Sequence, residues 1–190
     1  MPTADILVFQ LKVTLQEVEP AIWRRFQVKR QVRLDRLHLF IQACMGWTNS
    51  HLHEFKIKGQ RYRHIEQMYE DIDDSDMHDE KEYRLKKLVN EGDSFEYLYD
   101  FGDCWEHEIL VEKLIEPEEG IIYPICLTGE RACPPEDCGG PWGYQEMLEI
   151  LKDTGHEEYE HWHEWLGEEF DAERFDVDKV NGFFDEKSSK

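Results

Sequence analysis

The sequence has no apolar run long enough to cross a membrane: its longest runs are a few residues, where a spanning helix needs roughly 20. Its beginning, Met1-Pro2-Thr3-Ala4-Asp5, lacks the basic n-region and apolar core of a secretion signal, so the expectation is a cytoplasmic protein. Positive charge is also scarce. The 22 Lys and Arg stand against 43 Asp and Glu, a net charge of −21. A field of that sign repels phosphate backbones and anionic bilayers, which disfavours nucleic acid as a partner and points away from membranes. Two catalytic signatures are missing. No glycine-rich loop ends in Lys-Ser/Thr, as a phosphate-cradling P-loop does, and no Gly-x-Ser-x-Gly elbow is present. Cysteine is limited to Cys44, Cys104, Cys126, Cys133 and Cys138. An odd count without an export signal argues for reduced thiols rather than a disulfide framework.

What remains suits one globular domain over residues 1–190. The chain is 40% hydrophobic and 13% aromatic, and at this length roughly 70% of the unfolded surface can be buried without a staple. The charge is uneven: residues 1–63 carry 11 Lys/Arg against 5 Asp/Glu, and residues 64–190 carry 11 against 38. Within Trp23 to Arg36 lie Arg24, Arg25, Lys29, Arg30, Arg33 and Arg36 against Asp35 alone. Pairing with the acidic remainder of the same fold is the leading reading of that stripe, ahead of a DNA-binding patch. Residues 66–82 carry nine acids and only Lys81. Repulsion at that density predicts a solvated, mobile insertion.

Periodicity predicts an α+β fold, a mainly antiparallel sheet with helices packed against it and a helical C-terminal third. Phe9, Leu11, Val13 and Leu15 alternate as one strand, and Ile22, Arg24, Phe26 and Val28 as a second. Leu34, Leu37, Ile41, Cys44 and Met45 recur at helical spacing, with Gly46 as the C-cap. Strands follow at about 51–57 and 60–63, and a short amphipathic piece at 85–89. Phe95, Tyr97, Tyr99 and Phe101 lead through a two-residue Gly102-Asp103 turn into a strand with Trp105, His107, Ile109 and Val111 on one face. Helical stripes then run through Tyr144–Leu151, Tyr159–Leu166 and Val177–Phe184.

Three groups of residues can carry chemistry. On a strand, His51, His53, Phe55 and Ile57 share one face, and two imidazoles at i and i+2 can reach one metal ion. His107 is the candidate third ligand. The competing reading is a set of core-edge histidines hydrogen-bonded to backbone or acids. Cys133 and Cys138 are spaced C-x4-C, with Cys126 seven residues upstream; with His107 they would complete a Cys3His zinc set. Against that, lone cysteines are often small buried hydrophobes. Finally, Asp103, Trp105, Glu106, His107 and Glu108 cluster at a hairpin, and Arg131, Glu136, Asp137 and Trp142 lie on the loop from 130 to 144. Proline fixes φ and glycine frees it, so that loop is built to hold side chains in set places. Arg131 is the expected counter-ion of its acids. The Glu-x-x-His spacings at 158–163 overlap on one helix and read as surface residues.

Four co-linear motifs carry a resemblance: Ile22-Trp23-Arg24-Arg25; Gly46-Trp47 with His51-Leu52-His53-Glu54-Phe55; Tyr99-Asp100-Phe101-Gly102-Asp103 with Trp105-Glu106-His107; and Ala132-Cys133-Pro134-Pro135-Glu136-Asp137-Cys138-Gly139-Gly140-Pro141. In these the chain resembles the plasmid pRiA4b ORF-3-like family, a prokaryotic family also found as passengers of insertion elements. It departs from the family pattern at Cys104, where a glycine usually follows the Asp, and in the long acidic stretch at 66–82. The resemblance implies no assigned activity, and it links the chain to mobile DNA by neighbourhood alone.

The expected function is a binding or interaction module for a protein or small-molecule ligand. Its pocket is expected from His51, His53, Glu54, Asp103, Trp105, His107, Arg131, Glu136, Asp137 and Trp142. The first alternative is a divalent-metal hydrolase or nuclease using His51, His53, His107 and Asp103 or Glu136; the candidate ligands of a metal ion, with zinc as the first candidate, are His51, His53, His107, Cys126, Cys133 and Cys138. The second is DNA binding through residues 24–36.

Overall fold

In the computed structural model, which describes residues 6–65, 76–167 and 170–188 (the last four without their side chains), the alternating segments build one sheet with a buried face. Strands β1 (Val8–Leu15), β2 (Trp23–Lys29), β3 (His53–Ile57), β4 (Gln60–Arg63), β5 (Met77–Asp79), β6 (Ser94–Tyr99), β7 (Trp105–Ile115) and β8 (Ile125–Glu130) lie in the order β5-β4-β3-β6-β7-β1-β2-β8. Every pairing is antiparallel except β4 with β5. The longest strand shows the alternation most plainly: Trp105, His107, Ile109 and Val111 of β7 are buried, and Glu106, Glu108 and Leu110 between them are exposed.

Helix α1 (Leu34–Met45) covers the buried face with Leu34, Leu37 and Ile41, and stops at Gly46, whose φ of 90° is left-handed and whose N–H caps Gln42 O. A residue without Cβ takes that conformation at little cost. Helices α2 (Gly140–Ile150), α3 (Tyr159–Leu166) and α4 (Val177–Ser188) follow β8. Phe184 of α4 seals the core edge, its ring 6.3 Å from Phe26 and 5.7 Å from Phe40.

The class is therefore α+β, with several departures from expectation. The final third is helical only in part, because β8 runs into it and loops separate its helices. Strand β8 lies at the sheet edge beside β2, and its mixed exposure hides the alternation. Residues Gly140–Tyr144 belong to α2, not to a loop: Pro141 sits in the first helical turn, where it costs no hydrogen bond. The β6–β7 connection has five residues, closed by Cys104 N–H to Asp100 O at 2.7 Å.

Of the acidic stretch at 66–82, residues 66–75 lie outside the described residues. Met77–Asp79 is β5, and Glu80–Glu82 is a 3-10 turn in which Glu80 is buried. The basic stretch does not form one surface. Arg24 is in the core, Arg25 forks onto Glu112 at 2.7 and 2.8 Å, and Arg33 holds Asp35 at 2.9 and 2.8 Å.

Candidate functional site

Three connections meet at one end of the sheet: residues 46–52 after α1, 100–104 after β6, and 131–139 before α2. Tyr99, at the end of β6, ties them. Its ring stacks on Trp47 at 4.8 Å, and its hydroxyl donates to Glu136 and accepts from Ser50 N (3.1 Å) and His51 N (3.4 Å). Glu136 also accepts from Thr48 N at 3.3 Å and Thr48 Oγ1 at 2.5 Å. Trp47 Nε1 donates to Pro134 O at 3.0 Å. The start of α2 comes so close that a Cβ on Gly140 would overlap the Asp103 backbone, while Gly139 N donates to Asp103 Oδ2 at 3.2 Å. The restricted loop at 130–144 is thus docked at many points.

This docking brings His51, Asp100 and Asp137 together, with ligand atoms all within 4.8 Å of one another. His51 Nδ1 lies 3.6 Å from Asp100 Oδ2, and its Nε2 lies 3.3 Å from Asp137 Oδ1. That Nε2 is shielded from solvent and has no hydrogen bond of acceptable geometry. Asp100 is nearly buried and its other oxygen accepts from Gly102 N at 2.8 Å, whereas Asp137 is exposed. Among the described residues no Lys or Arg pairs with either carboxylate. Asn49, Asp100 and Asp137 have φ of 61°, 58° and 60°. Asn and Asp tolerate this left-handed region better than other side chains, but it still costs conformational energy. An open cleft of about 320 Å³, lined by residues 49–52 and 100–102, leads to the group.

The other expected ligands go elsewhere. His51 precedes β3 rather than sharing its face, so the two histidines diverge. His53 is buried, its Nε2 2.7 Å from Glu80 Oε2, and its ring stacks on His38 at 3.5 Å. Burial, reinforced by His64 and Arg63, lowers the His53 pKa to about 3, and burial raises that of Glu80 to about 7. The pair is then neutral at mildly acidic pH. His107 is buried with Nδ1 3.2 Å from Tyr97 O, and burial lowers its pKa to about 4.

The cysteines do not join these histidines. Cys126 sits on β8, its thiol pKa lowered by a hydrogen bond with Cys44 and, after the opposing effect of burial, by Arg24. Burial pushes the Cys133 thiol up and that of Cys138 to about 12, which opposes the thiolate a zinc ion needs. Among the described residues, no three of His53, His107, Cys126, Cys133 and Cys138 converge as ligands; the group that does is His51, Asp100 and Asp137.

Of the remaining candidates, Glu54 is held by Arg61 and Arg63 at 2.9 and 2.6 Å. Trp105 is buried in the core. Arg131 binds Glu173 and Pro20 O, both at 2.7 Å, rather than the acids of its own loop. Trp142 is 87% exposed on the first turn of α2. Asp100 is not among the residues the sequence singles out, because the alternation of Phe95, Tyr97, Tyr99 and Phe101 reads as a strand running through it. The available signal was a second acid, beside Asp103, in a turn that favours positive φ.

Two known proteins match nearly the whole length of the chain. The chain is 41% identical over 185 residues, 96% of its own length and 93% of the other's, to "Uncharacterized protein y4hQ" of Sinorhizobium fredii (strain NBRC 101917 / NGR234). It also matches the crystal structure of a protein of unknown function, MM3350 from Methanosarcina mazei Go1, with a TM-score of 0.82 at 40% identity; the match covers 92% of this chain and 97% of that one. The family model described as plasmid pRiA4b ORF-3-like protein matches residues 7–179. The chain belongs to the plasmid pRiA4b ORF-3-like family.

Proposed function

We propose that the protein is a binding module that works through a divalent cation held by His51, Asp100 and Asp137. The observation that carries this reading is a shielded imidazole nitrogen without a hydrogen bond, set between two carboxylates that no Lys or Arg neutralises among the described residues. One imidazole and two carboxylates suit a zinc- or manganese-class ion and leave coordination positions on the cleft side. The left-handed backbone at both aspartates and the glycine contact at Gly140 support a group held in place before any ligand arrives. Those positions could instead take a water molecule, so metal-assisted hydrolysis is the second reading; the cation would lower that water's pKa.

The test is calorimetric titration of untagged protein with zinc and manganese chlorides, beside Asp100→Asn and Asp137→Asn. One ion per chain, with affinity lowered at least about tenfold in each variant, is expected. No saturable binding by the parent, or unchanged binding by both variants, would overturn the assignment. Turnover of ester or phosphodiester probes by the metal-loaded parent, lost in Asp137→Asn, would select the hydrolytic reading.

A further inference from the structure

Arg24 of β2 is 1% exposed. Its Nε donates to Cys44 O at 2.9 Å, and its Nη1 to Trp23 O at 2.9 Å and Glu130 O at 2.7 Å. The Phe175 ring lies over the guanidinium at 4.2 Å. Among the described residues, Nη2 has no hydrogen-bond partner and no carboxylate faces the group; its electrostatic neighbours are Cys133, Cys44, Cys126 and Tyr144. A guanidinium does not shed its proton, so the charge stays in the interior. The carbonyl of Cys44, in the last turn of α1, offsets it only in part.

Arg24 also lines a cavity of about 420 Å³ between the end of α1, residues 132–133 and the segment leading into α4. Its walls include Leu166, Phe170, Phe175 and Phe183, and Arg174 and Lys179 stand beside Asp171 and Asp176 in its lining. Apolar walls with a few placed polar groups are the usual make-up of a small-molecule pocket. We propose that this cavity is a second ligand site, taking a small monocarboxylate with its charged end on Arg24 and its aromatic or aliphatic body among the phenylalanines. It shares no lining residue with the His51 cleft.

The chemistry favours a carboxylate over a phosphate. Nη2 is the guanidinium nitrogen left without a partner among the described residues, enough to complete a single charge-assisted pair. Arg174 and Lys179 of the lining are matched in number by Asp171 and Asp176, with Arg174 3.7 Å from Asp176, so the excess charge a ligand meets is that of Arg24, which suits a monoanion better than a phosphate dianion. Within the chain, the nearest competing group is the Cys126 thiol, whose pKa is lowered by its hydrogen bond with Cys44 and by Arg24. Cys126→Ser removes that competitor.

The test uses full-length protein labelled with 15N-arginine, titrated with phenylacetate, hexanoate, phenylacetamide and inorganic phosphate. Either acid should shift the Arg24 side-chain resonances and raise Tm, and the neutral amide should bind at least about tenfold more weakly. Arg24→Met should abolish binding. Should it fail to fold, Phe183→Trp decides, because it narrows the cavity without touching the Arg24 hydrogen bonds; it should weaken the acids at least about tenfold. Cys126→Ser should leave acid binding intact. Unmoved Arg24 resonances at millimolar acid, equal binding of acid and amide, binding of phosphate alone, unchanged binding by Phe183→Trp, or loss of binding in Cys126→Ser would each overturn the assignment.

Discussion

Replacing Glu80 by Gln tests the charge state of the buried pair that anchors β3. Glu80 is 1% exposed and bonds His53 at 2.7 Å, and burial moves its pKa from 4.5 to about 7. A carboxyl with a raised folded-state pKa stabilises the fold fully below its unfolded value. That contribution is lost as pH climbs through the folded value, because only the native state still holds the proton in between. At about 1.4 kcal/mol for each pH unit, the loss between pH 4.5 and 7 comes to about 3 kcal/mol. His53 acts in the opposite sense over its own range, from 6.5 down to about 3, so the parent's own profile is partly cancelled. Subtracting the variant removes that term. The stability of Glu80→Gln relative to the parent should therefore improve by about 3 kcal/mol between pH 4 and pH 8. Urea denaturation followed by tryptophan fluorescence across that range measures it. A difference that stays flat, or that moves in favour of the parent as pH rises, would refute the neutral pair and indicate a charged Glu80–His53 ion pair.

The same linkage gives His107 an acid-sensitive role: its pKa is lowered from 6.5 to about 4, so stability should fall by about 3 kcal/mol as pH drops across that window, and His107→Gln should flatten this limb in denaturation curves. Gly140→Ala should cost about 3 kcal/mol or more, combining the left-handed φ of 70° with the overlap on the Asp103 backbone; a Tm within a degree of the parent would contradict the close approach. Glu112→Gln loosens a partly exposed fork with Arg25 and should cost no more than about 1 kcal/mol by urea denaturation. Trp142→Ala should leave Tm unchanged, because the indole is 87% exposed, and any loss it causes in binding assays would mark that ring as part of a contact surface.

Local pattern by itself determined much of this protein. Strict alternation in β1, β6 and β7 and the heptad-like stripe of α1 ending in Gly46 depend on neighbouring residues alone, and their elements form where that pattern places them. The four motifs carried the family resemblance that the match over residues 7–179 bears out. Edge strand β8 escaped because a strand paired on one side and only half covered does not alternate cleanly. The site escaped in part for a different reason. His51 and Asp137 were read as candidates, but their association with Asp100 depends on three loops meeting around Tyr99, across sequence separations no local rule spans. The fate of His53, His107 and the cysteines was likewise decided by tertiary packing. Period-two alternation states which face a side chain takes, but only the packed sheet determines whether that face meets a pocket or the core. For the imidazoles of His53 and His107 it met the core, and for Arg24 it met a cavity wall.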